Sequence, residues 1–137
     1  YGKPLIVIDF GTATTFDVVS SSGDFLGGAI SPGITIASEA LFRRTAMLPR
    51  IELQRPKHAI GRGTVSAMQS GILFGYIGLV EKMLHEISAE LEAEPVVVAT
   101  GGYANMFAEI IPAIQISNPD LSLIGLRLIH EMNTIER

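Results

Sequence analysis

Hydrophobic residues come first in short extended blocks and only later at helical spacing. Leu5-Ile6-Val7-Ile8 is a continuous apolar run rich in β-branched side chains, the pattern of a strand covered on both faces. Residues 14–19 form a second strand candidate, with Asp17 alternating with Thr15 and Val19. The turn cluster Ser20-Ser21-Ser22-Gly23-Asp24 follows, and residues 25–30 form a third strand. The short links predict antiparallel hairpins. After Pro32-Gly33 the period lengthens, and Ile36, Ala37, Ala40 and Leu41 share one face of a helix over residues 34–45. Ile51-Glu52-Leu53 reads as a short extended piece before a polar loop, residues 54–63.

The longest predicted element is a helix over residues 64–92, with Val65, Met68, Ile72, Leu73, Tyr76, Val80, Leu84 and Ile87 at helical spacing. Gly71, Gly75 and Gly78 in its first half cost helix propensity but let a neighbouring element come close. Pro95 ends it, and Val96-Val97-Val98-Ala99 returns to a buried strand. A short helix to about residue 110, the apolar Ile114-Gln115-Ile116 and a last helix over residues 121–132 complete the chain. There is no internal repeat. The order βββααβαβα predicts one α/β layered domain spanning residues 1–137.

Composition narrows the class. A chain of 137 residues that is 47% hydrophobic and 18% charged is too apolar for a solvated coil. A net charge of −4 and a pI near 5.3 argue against a nucleic-acid footprint or a polybasic membrane anchor. The most apolar stretch, residues 71–80, falls short of the roughly 20 residues a membrane span needs. With no cysteine there is no thiol nucleophile and no thiolate metal site, as suits a cytoplasmic protein. A mean hydropathy of +0.38 is high for so small a domain, so part of its surface is expected to need a partner domain or subunit. A homodimer built on the glycine-bearing helix is the specific expectation.

The sharpest local feature is Asp9-Phe10-Gly11-Thr12-Ala13-Thr14-Thr15, where a strand delivers a carboxylate to a glycine turn rich in hydroxyls. Exposed backbone N–H groups and threonine hydroxyls at such a turn can hold phosphate oxygens, and the aspartate can hold a cation that offsets their charge. An ordinary hairpin turn with locally satisfied side chains reads equally well from spacing alone. Thr100-Gly101-Gly102 follows a strand and precedes a helix, where ligands of α/β sheets bind, but such pairs are also common turn chemistry. Thr64 stands where a helix N-cap is expected. His85 and His130 read as solvated, His58 as a loop residue able to meet a ligand, and Arg43-Arg44 as a solvated helix face. No Walker A loop, Ser-His-Asp order or paired-carboxylate spacing is present.

Taken in order, these segments resemble the second domain of type III pantothenate kinases, also described as Bvg accessory factors. The resemblance is carried by Ile8-Asp9-Phe10-Gly11-Thr12-Ala13-Thr14-Thr15-Phe16-Asp17, Gly27-Gly28-Ala29-Ile30-Ser31-Pro32-Gly33-Ile34 and Leu41-Phe42-Arg43-Arg44-Thr45-Ala46. Ile60-Gly61 through Thr64 to Ala67-Met68-Gln69-Ser70-Gly71, Ala99-Thr100-Gly101-Gly102 and Leu123-Ile124-Gly125-Leu126-Arg127 continue it. It implies a ribonuclease-H-like fold of the sugar-kinase/actin superfamily, with a three-stranded antiparallel start followed by alternating helices and strands.

The resemblance further implies ATP-dependent phosphorylation of pantothenate, the entry to coenzyme A. Asp9 matches the family's monovalent-cation ligand (potassium or ammonium). Thr12 matches an ATP-phosphate contact, with Gly11 and Thr14 beside it, and Mg²⁺ is expected with the nucleotide. Thr64 matches a pantothenate contact, and Gly101 and Gly102 the nucleoside side. The family's proton acceptor and first phosphate-binding motif lie in a preceding N-terminal domain and have no counterpart here, so the chain alone is expected to be inactive. Two non-enzymatic alternatives remain, a transcriptional regulator of the Bvg accessory type and a dimerisation module.

Overall fold

The computed structural model describes residues 1–135 of the chain. Its elements run β1 (Leu5–Phe10), β2 (Ala13–Val19), β3 (Phe25–Pro32), α1 (Ile34–Arg44), α2 (Thr64–Ala89), β4 (Val96–Thr100), α3 (Ala104–Ile110), β5 (Ile116–Ser117) and α4 (Leu121–Ile135). The five strands make one mixed sheet in the order β3-β2-β1-β4-β5. β1 and β2 pair antiparallel, as do β2 and β3, whereas β4 joins β1 and β5 in parallel. A three-stranded meander extended by parallel strands beyond the first is the ribonuclease-H-like plan that the sequence led us to expect.

Alternation along the strands decides which face becomes the core. Ile6, Ile8 and Phe10 of β1, Phe16 of β2 and Val97 and Ala99 of β4 are buried in one cluster with Ile72, Leu73, Tyr76 and Val80 of α2. Phe107 of α3 closes that cluster, stacked on Phe10 at 4.5 Å and tilted against Tyr76 at 5.3 Å. The other face carries Val7, Asp9, Thr15, Asp17, Val98 and Thr100. β1 is therefore not covered equally on its two faces: Leu5, Val7 and Asp9 remain half-buried. Such continuous apolar runs fill both sides of a strand only where both faces of the sheet are packed.

Two local expectations are corrected. Ile51-Glu52-Leu53 forms no strand; Ile51 and Leu53 instead lay half-buried side chains against the core while the backbone stays irregular. Thr64 is the first residue of α2 rather than its cap, which is Gly63. The side chain that closes this end is Ser66, whose Oγ accepts from the Gly63 N–H at 3.1 Å and donates to the Gly63 carbonyl at 2.9 Å.

No described helix is long and apolar enough to cross a membrane. The surface nevertheless keeps much apolar area, including Phe25 and Ile30 on the edge strand β3 and Leu123, Leu126, Ile129 and Met132 on α4. A Cβ built on Gly71, Gly75 or Gly78 meets nothing within 4 Å outside the helix's own backbone. Gly71 and Gly75 instead line an open apolar groove of about 680 Å³ between α1 and α2, with Ala37, Leu41 and Met68.

Candidate functional site

The parallel pairing of β1 with β4 brings the C-terminal ends of both strands to one edge of the sheet, where ligands of α/β folds collect. From β1 the chain passes through Gly11 and Thr12 into β2, and from β4 it passes through Gly101 and Gly102 into α3. Asp9 lies one residue inside the strand, opposite Thr100 on β4 and Thr15 on β2. Asp9, Gly11 and Gly101 thus come together, and Thr12 and Gly102 are the next residues of the two loops.

Glycine is required at Gly101 for two reasons. Its φ of +89° is one that L side chains rarely adopt, and a Cβ there would stand 2.5 Å from Asp9 Oδ1 and 2.7 Å from the Phe10 carbonyl. A Cβ on Gly11 would lie 3.4 Å from the same carboxylate oxygen. Asp9 Oδ1 is therefore bordered on two sides by glycine, whose backbone approaches it closely. Among the described residues the Asp9 carboxylate takes part in no ion pair and no side-chain hydrogen bond. Thr12 is exposed at the tip of the turn.

The turn is braced from behind. The Gly33 N–H, at the start of α1, donates to the Thr12 carbonyl at 3.0 Å. Thr14 supplies the second brace. It is fully buried and its hydroxyl is hydrogen-bonded to that of Tyr76. Its side chain therefore points into the core, and only its backbone shares the turn with Thr12. Burial pushes the Tyr76 hydroxyl above its ordinary pKa, while the Thr14 hydrogen bond pulls the other way.

Thr64 lies elsewhere. It precedes Tyr76 by twelve residues on one helix, which places it about 18 Å along the axis from the residue that holds Thr14. It is exposed and lines the apolar groove between α1 and α2. That groove also reaches Tyr76, the hydrogen-bond partner of Thr14. His58 lines a different hollow, with Arg55, Lys57 and Arg62. His85 and His130 are exposed. Among the described residues no three His, Cys, Asp or Glu side chains converge in a way that could hold a metal ion.

Sequence reasoning missed the contributions of Tyr76 and Gly33. Helical spacing marks Tyr76 only as a core residue, and the contact of Gly33 with the turn depends on the β2–β3 register, which sets Ala13 opposite Pro32.

The family model described as Type III pantothenate kinase matches residues 1–86. A type III pantothenate kinase of Gluconobacter oxydans is 55% identical over 134 residues, covering 98% of this chain and 50% of that protein. One from Moorella thermoacetica is 52% identical over 134 residues, covering 98% of this chain and 53% of its own length. The chain thus spans about half the length of the curated relatives it matches. Among solved structures, a conserved Baf family protein from Campylobacter jejuni superposes with a TM-score of 0.67 at 22% identity, covering 96% of this chain and 59% of that one. That likeness supports the fold.

Proposed function

Because the chain belongs to the type III pantothenate kinase family, we propose that it is the second, ATPase-like half of a kinase that transfers the γ-phosphoryl group of ATP to the hydroxyl of pantothenate. The observation that carries this reading is the meeting of Asp9, the Gly11–Thr12 turn and Gly101-Gly102 at the C-terminal edge of the parallel strands. In this reading Thr12 and the backbone N–H groups of its turn hold phosphate oxygens, Gly101 and Gly102 face the nucleoside, and Thr64 hydrogen-bonds pantothenate at the far end. Thr14 serves indirectly, through its bond to Tyr76.

Asp9 fits a monovalent cation, potassium or ammonium. Its carboxylate is half-buried and makes no ion pair among the described residues, and Asp17, the other acid on that face of the sheet, is hydrogen-bonded to Thr15. When bound, such an ion supplies charge that offsets the phosphates. The chain's own residues bind and orient; in this reading the proton acceptor for the pantothenate hydroxyl belongs to the other half of the enzyme. Titration of the chain with ADP and Mg²⁺, followed by amide NMR, tests the nucleotide assignment. Saturable shifts are expected at Gly11, Thr12, Gly101 and Gly102, and shifts confined to other segments would overturn it.

The partner reading is a homodimer on α2. Gly71, Gly75 and Gly78 recur at positions i, i+4 and i+7 and face open space, so packing within this chain does not account for them. Gly75→Leu has room in the monomer and gains about 1 kcal/mol of helix propensity, yet it fills the stripe a second helix would approach. Sedimentation equilibrium is expected to give a dimer for the wild type and a folded monomer for Gly75→Leu. A wild-type monomer at high concentration would refute the interface.

A further inference from the structure

Among the described residues three side-chain hydrogen bonds join positions more than sixty residues apart, and two of them concern the candidate site. Thr14 to Tyr76 is the buried brace already described. The other joins Thr35 Oγ1, in the first turn of α1, to the Tyr103 hydroxyl at 3.1 Å. β1, β3 and β4 run in one direction, so α1 and α3, which follow β3 and β4, both start at the edge of the sheet where the candidate loops emerge. Tyr103 follows Gly102 directly and caps α3. Thr35 comes two residues after Gly33, whose N–H holds the Thr12 carbonyl.

Burial does not require this bond. Thr35 is exposed and Tyr103 half-buried, and water would satisfy hydroxyls so placed nearly as well. The Tyr103 ring is held independently, by packing against the core. What the bond adds is a closed circuit of contacts around the site. The Gly101 backbone packs on the end of β1, and Tyr103, two residues on, holds Thr35. α1 carries Gly33, Gly33 holds Thr12, and the chain returns through Gly11 to β1. We propose that Tyr103 is a positioning residue for the nucleotide: through Thr35 it fixes the Thr12 turn relative to the Gly101-Gly102 loop. This rests on the nucleotide reading above. Loops held in place before binding spare the ligand the cost of ordering them.

Hydrogen exchange, and titration with ADP and Mg²⁺, both followed by amide NMR on this chain, test it. In the free chain Tyr103→Phe and Thr35→Val are each expected to speed exchange of the Gly33 amide about threefold or more, and to leave the amides of β1 and β4 as in the wild type. Each is expected to raise the half-saturating ADP concentration about three- to tenfold, with the double variant matching either single one. Thr35→Ser keeps the hydroxyl and should retain wild-type values in both measurements. Melting temperatures should stay within about 2 °C of the wild type, because Tyr103→Phe keeps the packed ring. Unchanged Gly33 exchange would overturn the inference. Faster exchange over the whole chain would do the same, by making the bond a matter of general stability. Losses of affinity that multiply in the double variant would show two hydroxyls acting separately on the ligand, against the proposal. If Gly33 responds while Tyr103→Phe binds ADP as the wild type does, the role of Tyr103 fails and the nucleotide reading stands. If the wild type shows no saturable shifts at the two loops, the nucleotide reading fails and this inference with it.

Discussion

Replacing Gly33 by alanine is expected to lower the melting temperature by about 5–10 °C and to weaken nucleotide binding at the turn it supports. A Cβ on Gly33 would lie 2.2 Å from the Thr12 carbonyl oxygen and 2.6 Å from that of Gly11. Both obstacles are backbone atoms, so no rotamer change relieves them, and either α1 or the turn must move. Overpacking of this kind costs about 1–3 kcal/mol. The movement also breaks the 3.0 Å bond from the Gly33 N–H to the Thr12 carbonyl and displaces the residue proposed to meet phosphate. Strain is not the cause, since Gly33 has a φ of −66° and an extended ψ that any residue adopts. Thermal melts and ADP titration of Gly33→Ala check both effects. A wild-type melting temperature with unchanged shifts at Gly11 and Thr12 would show that the turn does not depend on this contact.

How far such a site can be read in advance depends on whether its parts are local. The Asp9-to-Thr15 segment was legible because a strand, a glycine turn and a second strand follow one another directly, and each has its own pattern. The inward direction of Thr14 follows from the same period of two that sets Thr15 and Asp17 on the opposite face, although its partner Tyr76 does not. Thr64 was misplaced by one position because threonine is the stronger cap by composition. In the fold Gly63 takes the cap, and Ser66 closes the end from inside the helix. The distant contacts were not legible at all. Gly33 reaches Thr12 through the β2–β3 register, and Thr100 reaches Asp9 through the β1–β4 register, across more than ninety residues of chain. The glycines of α2 show the opposite limit. Their spacing is plain in the sequence, but only the structure shows that a Cβ at any of the three would meet nothing within 4 Å among the described residues.

Residues 1–137 alone are expected to release no measurable pantothenate-dependent ADP, and activity is expected once the remaining half of a relative such as the Gluconobacter oxydans enzyme is supplied. Phosphoryl transfer to a hydroxyl needs a base within hydrogen-bond reach of it and phosphates held in line. In the proposed reading this chain contributes Thr12 and Thr64 to binding. The carboxylates that could be offered as a base are otherwise engaged. Asp17 accepts from Thr15 at 3.0 Å on the face of the sheet away from α2, and Glu39 pairs with Arg43 at 3.2 Å on the outside of α1. Asp9, the carboxylate at the turn, is assigned in that reading to the cation. Losing general-base catalysis alone costs on the order of 10²–10⁴ in rate, and an unclosed phosphate clamp adds to that loss. The assay is ADP release with pantothenate and ATP in potassium buffer, run on the purified chain and on the chain mixed with or fused to that half of the relative. Robust turnover by the chain alone would place a base among its own residues. In that case Asp17→Asn and Glu39→Gln, tested separately, would identify which carboxylate leaves its present partner to act.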